Sequence, residues 1–232
     1  MVTQPQISST DVIYPESDGK PMADNTQQFH WIVVIEQNLE ELFADDANVF
    51  VAGDLLWYPV EGNNRLSTAP DTMVVFGRPK GDRGSYQQWR EGNIAPQVVF
   101  EILSPSNTPN EMERKLLFYQ SYGVEEYYIY DPDRNQLKGW LRSSDSLLEG
   151  IESMSGWVSP RLGIRFEIGE ELQLYRPDGT AFRSFIEISQ RLEQTEQRLE
   201  QTEQQLEQTE QRAAELEAML QQYRDRFGEI ET

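Results

Sequence analysis

Asp71, Glu101 and Lys115 are the residues of this chain whose types and placement can do chemistry. Asp71 follows Pro70 and opens the apolar run of APDTMVVFG, and Glu101 is the single acid within PQVVFEILS. A carboxylate inside a buried strand is costly unless something pairs with it. Two carboxylates on adjacent strands can share a divalent cation. Such a cation orients a water, lowers its pKa and stabilises charge on a phosphodiester. A lysine beside them would position the nucleophile and offset developing negative charge.

Composition narrows which metal that is. The chain has no cysteine and one histidine, His30, so thiolate and multi-histidine zinc centres are excluded. A site built from oxygen ligands favours Mg²⁺ or Mn²⁺. The net charge of −20 argues at first against a nucleic-acid partner. Residues 186–232 hold 12 acids and 5 bases, and residues 1–185 hold 28 acids and 15 bases, so the body is acidic in its own right. Any nucleic-acid contact then depends on a local basic patch or on metal ions. No apolar run approaches the ~20 residues that span a bilayer. The N-terminal stretch lacks a basic start followed by an apolar core. The expectation is a cytoplasmic protein.

Three sections must carry these residues. Residues 1–26 are polar and rich in Ser, Thr and Pro, and are expected to be a loose arm. Residues 27–185 are varied and aromatic-rich, and are expected to form the globular body. Residues 186–232 are low-complexity, with RLEQTEQ at 191 and 198 and QLEQTEQ at 205. Leu192, Leu199 and Leu206 alternate with Thr195, Thr202 and Thr209 at spacings of three and four. That is a heptad seam, and Arg191 and Arg198 at g can meet Glu196 and Glu203 at the next e of a parallel partner. A homodimer through a coiled coil is expected. A solvated helix held by local charge pairs is the alternative.

Within the body, TQQFHWIVVIEQNLEELF places Trp31, Ile32, Ile35, Leu39, Leu42 and Phe43 on one helical face. Strands are expected in NVFVAGDLLWYP, APDTMVVFG, PQVVFEILS and EEYYIYDP. PQVVFEILS should be central because it is almost continuously apolar. A helix is expected after Thr108, with Pro109 at its first position, Glu111 completing a capping box and Gly123 ending it. On that helix Lys115 falls between Tyr119 and Tyr122, inside the apolar arc. An inward-facing cation needs an anion, and Glu101 on the preceding strand is the natural one. The pair could serve a site, or could simply tie helix to strand. Shorter antiparallel strands around QLKGWLR, GIRFEI and ELQLYRPDG complete a mixed α/β domain.

The series APDTMVVFG, PQVVFEILSPSNT and ERKLLFYQSYGVEEYYIYDP resembles the Uma-type family of putative restriction endonucleases, within the PD-(D/E)XK nuclease superfamily. The likeness covers roughly residues 27–142, with several motifs in the right order. It implies a restriction-endonuclease-like core, a mixed sheet flanked by helices, acting as a Mg²⁺-dependent phosphodiesterase. Asp71 and Glu101 would be metal ligands, with the Ile102 backbone carbonyl completing the set. Position 103, where the superfamily strand carries its lysine, is Leu103, so the resemblance implies a catalytic lysine moved to the following helix, at Lys115. A first-helix acid often supports this metal site; Glu36, with Glu40 behind it, is the candidate here. The expected activity is a metal-dependent endodeoxyribonuclease, with DNA the expected substrate and RNA not separable from it. The competing reading is a catalytically inactive nuclease fold that assembles through its coiled coil.

Arg78, Lys80, Arg83 and Arg90 lie on the loop between the two acid strands, where a phosphate backbone can pass. The same loop could equally be solvated and balance an acidic surface. His30 lies off the apolar face of its helix and reads as a surface or cleft-edge residue before a catalytic one. DPDRN at 131–135 reads as a turn, because Gln136 stands where a calcium loop needs glycine.

Overall fold

The computed structural model describes residues 12–19, 21–144 and 147–228. Residues 1–11 and 20 of the expected arm, and 229–232 of the tail, lie outside that description. The chain separates into two units, Met1–Arg183 and Ser184–Thr232.

The first unit is built on a six-stranded mixed sheet in the order β1-β3-β5-β6-β7-β8. Its strands are β1 (Val49–Gly53), β3 (Thr72–Phe76), β5 (Val98–Ile102), β6 (Glu126–Asp131), β7 (Gln136–Arg142) and β8 (Leu148–Gly150). Within this sheet only β5 and β6 pair in parallel, and the helix α2 (Pro109–Tyr122) makes the crossover between them. All five residues of β5 are buried, which accounts for its unbroken apolar sequence.

Alternation along the strands divides the core. Val74, Val98, Phe100, Ile102 and Tyr128 face one side. There they pack with Ile32, Ile35 and Leu39 of α1 (Thr26–Leu42). That layer is completed by Phe166 of β9 (Arg165–Ile168) and Leu172 and Leu174 of β10 (Leu172–Tyr175), which form a separate hairpin. Met73, Val75, Val99, Tyr127 and Ile129 face the other side, against Met112, Leu116 and Tyr119 of α2. The expected strand at NVFVAGDLLWYP is broken. Asp54 turns the chain at φ 47°, and β2 (Trp57–Tyr58) leaves to pair in parallel with β4 (Tyr86–Gln87). The short β8 had no alternating signature in the sequence.

α2 is held at both ends. Thr108 Oγ accepts from the Glu111 N–H, and Gly123 closes the helix at φ 98°. The Arg142 guanidinium then donates to the carbonyls of Tyr119, Gln120 and Val124. A cation on the last carbonyls of a helix satisfies orphan acceptors and complements the helix dipole.

Residues 12–19 and 21–24, read as part of a loose arm, carry specific contacts to the body. Tyr14 packs between Tyr58 and Trp89, Tyr58 donates to the Pro15 carbonyl at 2.8 Å, and Asn64 donates to the Ile13 carbonyl at 2.8 Å. At the far end Ser104 Oγ donates to Asp24 at 2.6 Å.

The second unit is one helix, α3 (Phe185–Phe227), begun by a Ser184/Glu187 capping box. Leu192, Leu199, Leu206, Leu216 and Leu220 are all exposed along it. Thr195, Thr202 and Thr209 each donate their hydroxyl to the carbonyl four residues back at 2.8 Å. No helix among the described residues is long and apolar enough to cross a membrane.

Candidate active site

Strand register brings the two acids together. β3 and β5 run antiparallel with Thr72 opposite Phe100, so the next pair outward is Asp71 opposite Glu101. Directly opposed residues project from the same face, here the face covered by α2. A lysine on α2 can therefore reach the place that a lysine at position 103 would occupy. Lys115 Nζ donates to Glu101 Oε2 at 2.6 Å. Tyr119, one turn later, donates its hydroxyl to Glu101 Oε1. Both oxygens of a carboxylate that is only 2% exposed thus carry a donor.

The ladder between β3 and β5 stops at Thr72, which frees the backbone groups of Ile102. Side chains take them over. The Ile102 N–H donates to Asp71 Oδ2 at 2.6 Å, and the Ile102 carbonyl accepts from Gln28 Nε2 at 2.8 Å. A cleft of about 540 Å³ opens over this point. Its lining includes Asp71, Lys115 and Gln28 together with the outer acids Asp18, Asp54 and Glu111.

Electrostatics follow from burying two carboxylates beside one ammonium. Burial first, and the Glu101 charge second, push the Asp71 carboxyl well above its ordinary range, against the opposing pull of Lys115 and the Ile102 N–H. Burial alone would lower the Lys115 ammonium. The charges of Glu101 and Asp71 and the hydrogen bond to Glu101 outweigh it, so its pKa is raised. Lys115 is therefore a fixed cation and a donor, not a base. Asp54 is also raised, by burial and then by Asp18.

This donor set suits a hard divalent cation. Asp71, Glu101 and the Ile102 carbonyl offer oxygen only, and ionising both acids leaves one negative charge that Lys115 does not balance. Among the described residues no three Asp, Glu or His side chains form a ready cage, so water would supply the remaining positions.

The other sequence candidates lie elsewhere. Glu36 is on α1, two turns beyond Gln28. It lines a separate cavity of about 330 Å³ with Glu40 and Lys80, and burial and then Glu40 raise its carboxyl. The helix residue that does meet the acids is Gln28. None of Arg78, Lys80, Arg83 and Arg90 lines the acidic cleft. Arg83 and Arg78 approach Glu91 at 2.8 and 3.6 Å, Lys80 pairs with Glu40 at 2.8 Å, and Arg90 is exposed. His30 is exposed and edges onto Trp31, and Asp131 closes the DPDRN turn by accepting from the Arg134 N–H.

Sequence reasoning missed Tyr119, Gln28 and Asp54. Tyr119 was visible as a neighbour of Lys115 at i+4 but read as core. Gln28 had no signal, being one of two glutamines in a polar first turn.

Comparison with known proteins follows the same residues. The Uma2 family model, described as "Putative restriction endonuclease", matches residues 9–162. Among solved structures, a putative nuclease belonging to DUF820 from Anabaena variabilis ATCC 29413 is similar at 17% identity, over 62% of this chain and 79% of that one, with a TM-score of 0.43. No curated protein matches the chain.

Proposed function

The chain belongs to the Uma2 family, and from that premise we propose that it is a divalent-metal-dependent endonuclease hydrolysing DNA phosphodiester bonds. The observation that carries this reading is that Asp71 and Glu101 project from one sheet face, that Lys115 of α2 bonds Glu101 there, and that Asp71 and Lys115 line one cleft. Asp71, Glu101 and the Ile102 carbonyl would hold Mg²⁺ or Mn²⁺. When bound, the metal would supply a water of lowered pKa and offset charge building on the phosphate. Tyr119 and Lys115 fix the Glu101 carboxylate by one oxygen each, and the Ile102 N–H fixes Asp71. The Lys115 ammonium donates, and so opposes the negative charge that accumulates as water oxygen bonds to phosphorus and the bridging P–O bond breaks.

In this reading residues 27–185 form the nuclease domain, 1–26 an N-terminal arm, and 186–232 a tail that pairs two copies as a parallel coiled coil. The expected setting is the cytoplasm. Charge selects the parallel arrangement, since Arg191, Arg198 and Arg212 then face Glu196, Glu203 and Glu217 of the other copy. An antiparallel pair would set arginine against arginine. The internally bonded threonine hydroxyls leave their methyls for the seam.

The test is incubation of supercoiled plasmid with the purified chain and Mg²⁺ or Mn²⁺. Cleavage lost in Asp71→Ala, Glu101→Ala and Lys115→Ala supports the reading, and the absence of cleavage, or cleavage that all three variants retain, refutes it. One observation favours the rival, an inactive nuclease fold used for assembly: the cleft is lined by Asp18, Asp24, Asp54 and Glu111, and among the described residues Lys115 is the one basic side chain in its lining. That rival predicts self-association through the tail with neither metal binding nor cleavage.

A further inference from the structure

Ile102 is the residue where the sheet ladder hands over to side chains, and both of its backbone groups are claimed within the cleft wall. Gln28 claims the carbonyl. Its side chain is buried, with the residue 6% exposed, and its amide is held at both ends. Nε2 donates to the Ile102 carbonyl at 2.8 Å, and Oε1 accepts from the Asp24 N–H at 2.8 Å. The Ile102 N–H in turn donates to Asp71 at 2.6 Å. A continuous series of hydrogen bonds therefore runs from the segment before α1, through Gln28 and Ile102, to the Asp71 carboxylate. Asp24 is anchored at its own end by Ser104 of the loop that follows β5. With the amide fixed by Asp24, Gln28 has one orientation, donor toward Ile102.

We propose that Gln28 is a positioning residue of the site. It sets the orientation of Ile102, and through it the Asp71 carboxylate and the Ile102 carbonyl that would face a divalent cation. The proposal rests on the metal-site reading above and adds to it the residue that α1 contributes, a neutral amide in place of an acid. An amide suits the role. It supplies a donor to a buried carbonyl that would otherwise lose its partner, and it adds no third negative charge to Asp71 and Glu101. Groups that orient metal ligands from outside the coordination shell are commonly worth 10–100-fold in metal affinity.

Gln28→Met keeps the length of the side chain and removes the donor. Two measurements on the full chain decide the matter, with the exposed Gln27→Met as control. In metal-free protein, amide exchange at Ile102 should accelerate in Gln28→Met while Val99 and Phe100, in mid-strand, keep their protection. In calorimetric titration with Mn²⁺, the dissociation constant should rise about tenfold or more, with Gln27→Met unchanged on both counts. Unchanged Ile102 exchange overturns the proposal, as does faster exchange with wild-type Mn²⁺ affinity. If Mn²⁺ binds neither wild type nor variant, the metal-site reading falls. Gln28's role in orienting Ile102 is then decided by the exchange data alone.

Discussion

Replacing Lys115 with methionine should unmask what the Glu101–Lys115 pair is worth and what it is for. The substitution keeps the aliphatic stem and removes the charge. It leaves Glu101 in place, 2% exposed, with only the Tyr119 hydroxyl to hold it. Removing one member of a buried ion pair costs about 3–5 kcal/mol, because the remaining charge is stranded. The lower end applies, because the Lys115 side chain is 20% exposed, so water reaches the vacated position, and because Tyr119 keeps one oxygen satisfied. A loss of about 3 kcal/mol lowers the melting temperature of a domain this size by about 6–12 °C. Glu101→Gln in the Lys115→Met background removes the stranded charge while still accepting from Tyr119. It should restore most of the loss, since neutral replacement of both partners is often close to neutral. Urea denaturation of wild type, both single variants and the double variant completes the cycle. A Lys115→Met cost below about 1 kcal/mol, or a double variant no more stable than Lys115→Met alone, would refute the assigned burial and pairing. The double variant also separates the pair's two possible uses. If stability returns while plasmid cleavage stays lost, the pair serves the cleft; if cleavage returns as well, the pair only ties helix to strand.

Other outcomes follow from the same contacts. The raised Asp71 carboxyl means the folded state holds its proton more tightly than the unfolded state. Metal-free stability should therefore fall as pH rises above the unfolded carboxylate range near 4. Asp71→Asn can still accept from the Ile102 N–H, so it should flatten that dependence and exceed wild type at pH 8 in EDTA. Urea melts showing the variant weaker than wild type there would contradict the assignment. Gly123→Ala should cost about 1–2 kcal/mol, because the residue sits at φ 98° and a Cβ would lie 3.3 Å from that of Ala95. Thermal melts check it. Leu199→Glu, on the exposed stripe of α3, should leave melting of the first unit unchanged and shift sedimentation to monomer. A wild-type chain that already sediments as a monomer would exclude pairing through the tail.

What was legible in the sequence was whatever local periodicity encodes. The caps of α2, its wheel, the continuous burial of β5 and the turn at 131–135 are each set by residues within a few positions of one another. Lys115 could be aimed inward because a helical wheel needs only the sequence around it. Glu36 shows where that reasoning stops. A wheel places a residue at the edge of an apolar face, but not which cavity that edge opens on. Glu36 lines the cavity with Glu40 and Lys80, whereas Gln28, two turns earlier on the same helix, lines the cleft with Asp71 and Lys115. The pairing of Arg78, Lys80 and Arg83 with Glu91 and Glu40 is equally out of reach of the sequence, because it depends on tertiary contacts. Gln28 was invisible for the same reason, since its partner lies 74 residues away.

An apolar residue at position 103 is explained by strand geometry. Side chains alternate along a strand, so residue 103 continues on the same face as Glu101, and a lysine there would compete with α2 for the same space. Here that space is apolar, with Leu103, Met112 and Leu116 packed together. A lysine placed on the covering helix approaches the carboxylate from above and reaches Oε2 at 2.6 Å, while leaving position 103 free to seal the core. The exchange has a structural consequence. The cation now depends on the docking of α2, which Thr108, Gly123 and Arg142 secure from its two ends. Charge in the site and packing of the crossover helix are thereby coupled. Substitutions that loosen α2, Arg142→Ala among them, should weaken Mn²⁺ binding without touching an acid. A calorimetric titration in which Arg142→Ala lost stability yet bound Mn²⁺ as wild type would break that coupling.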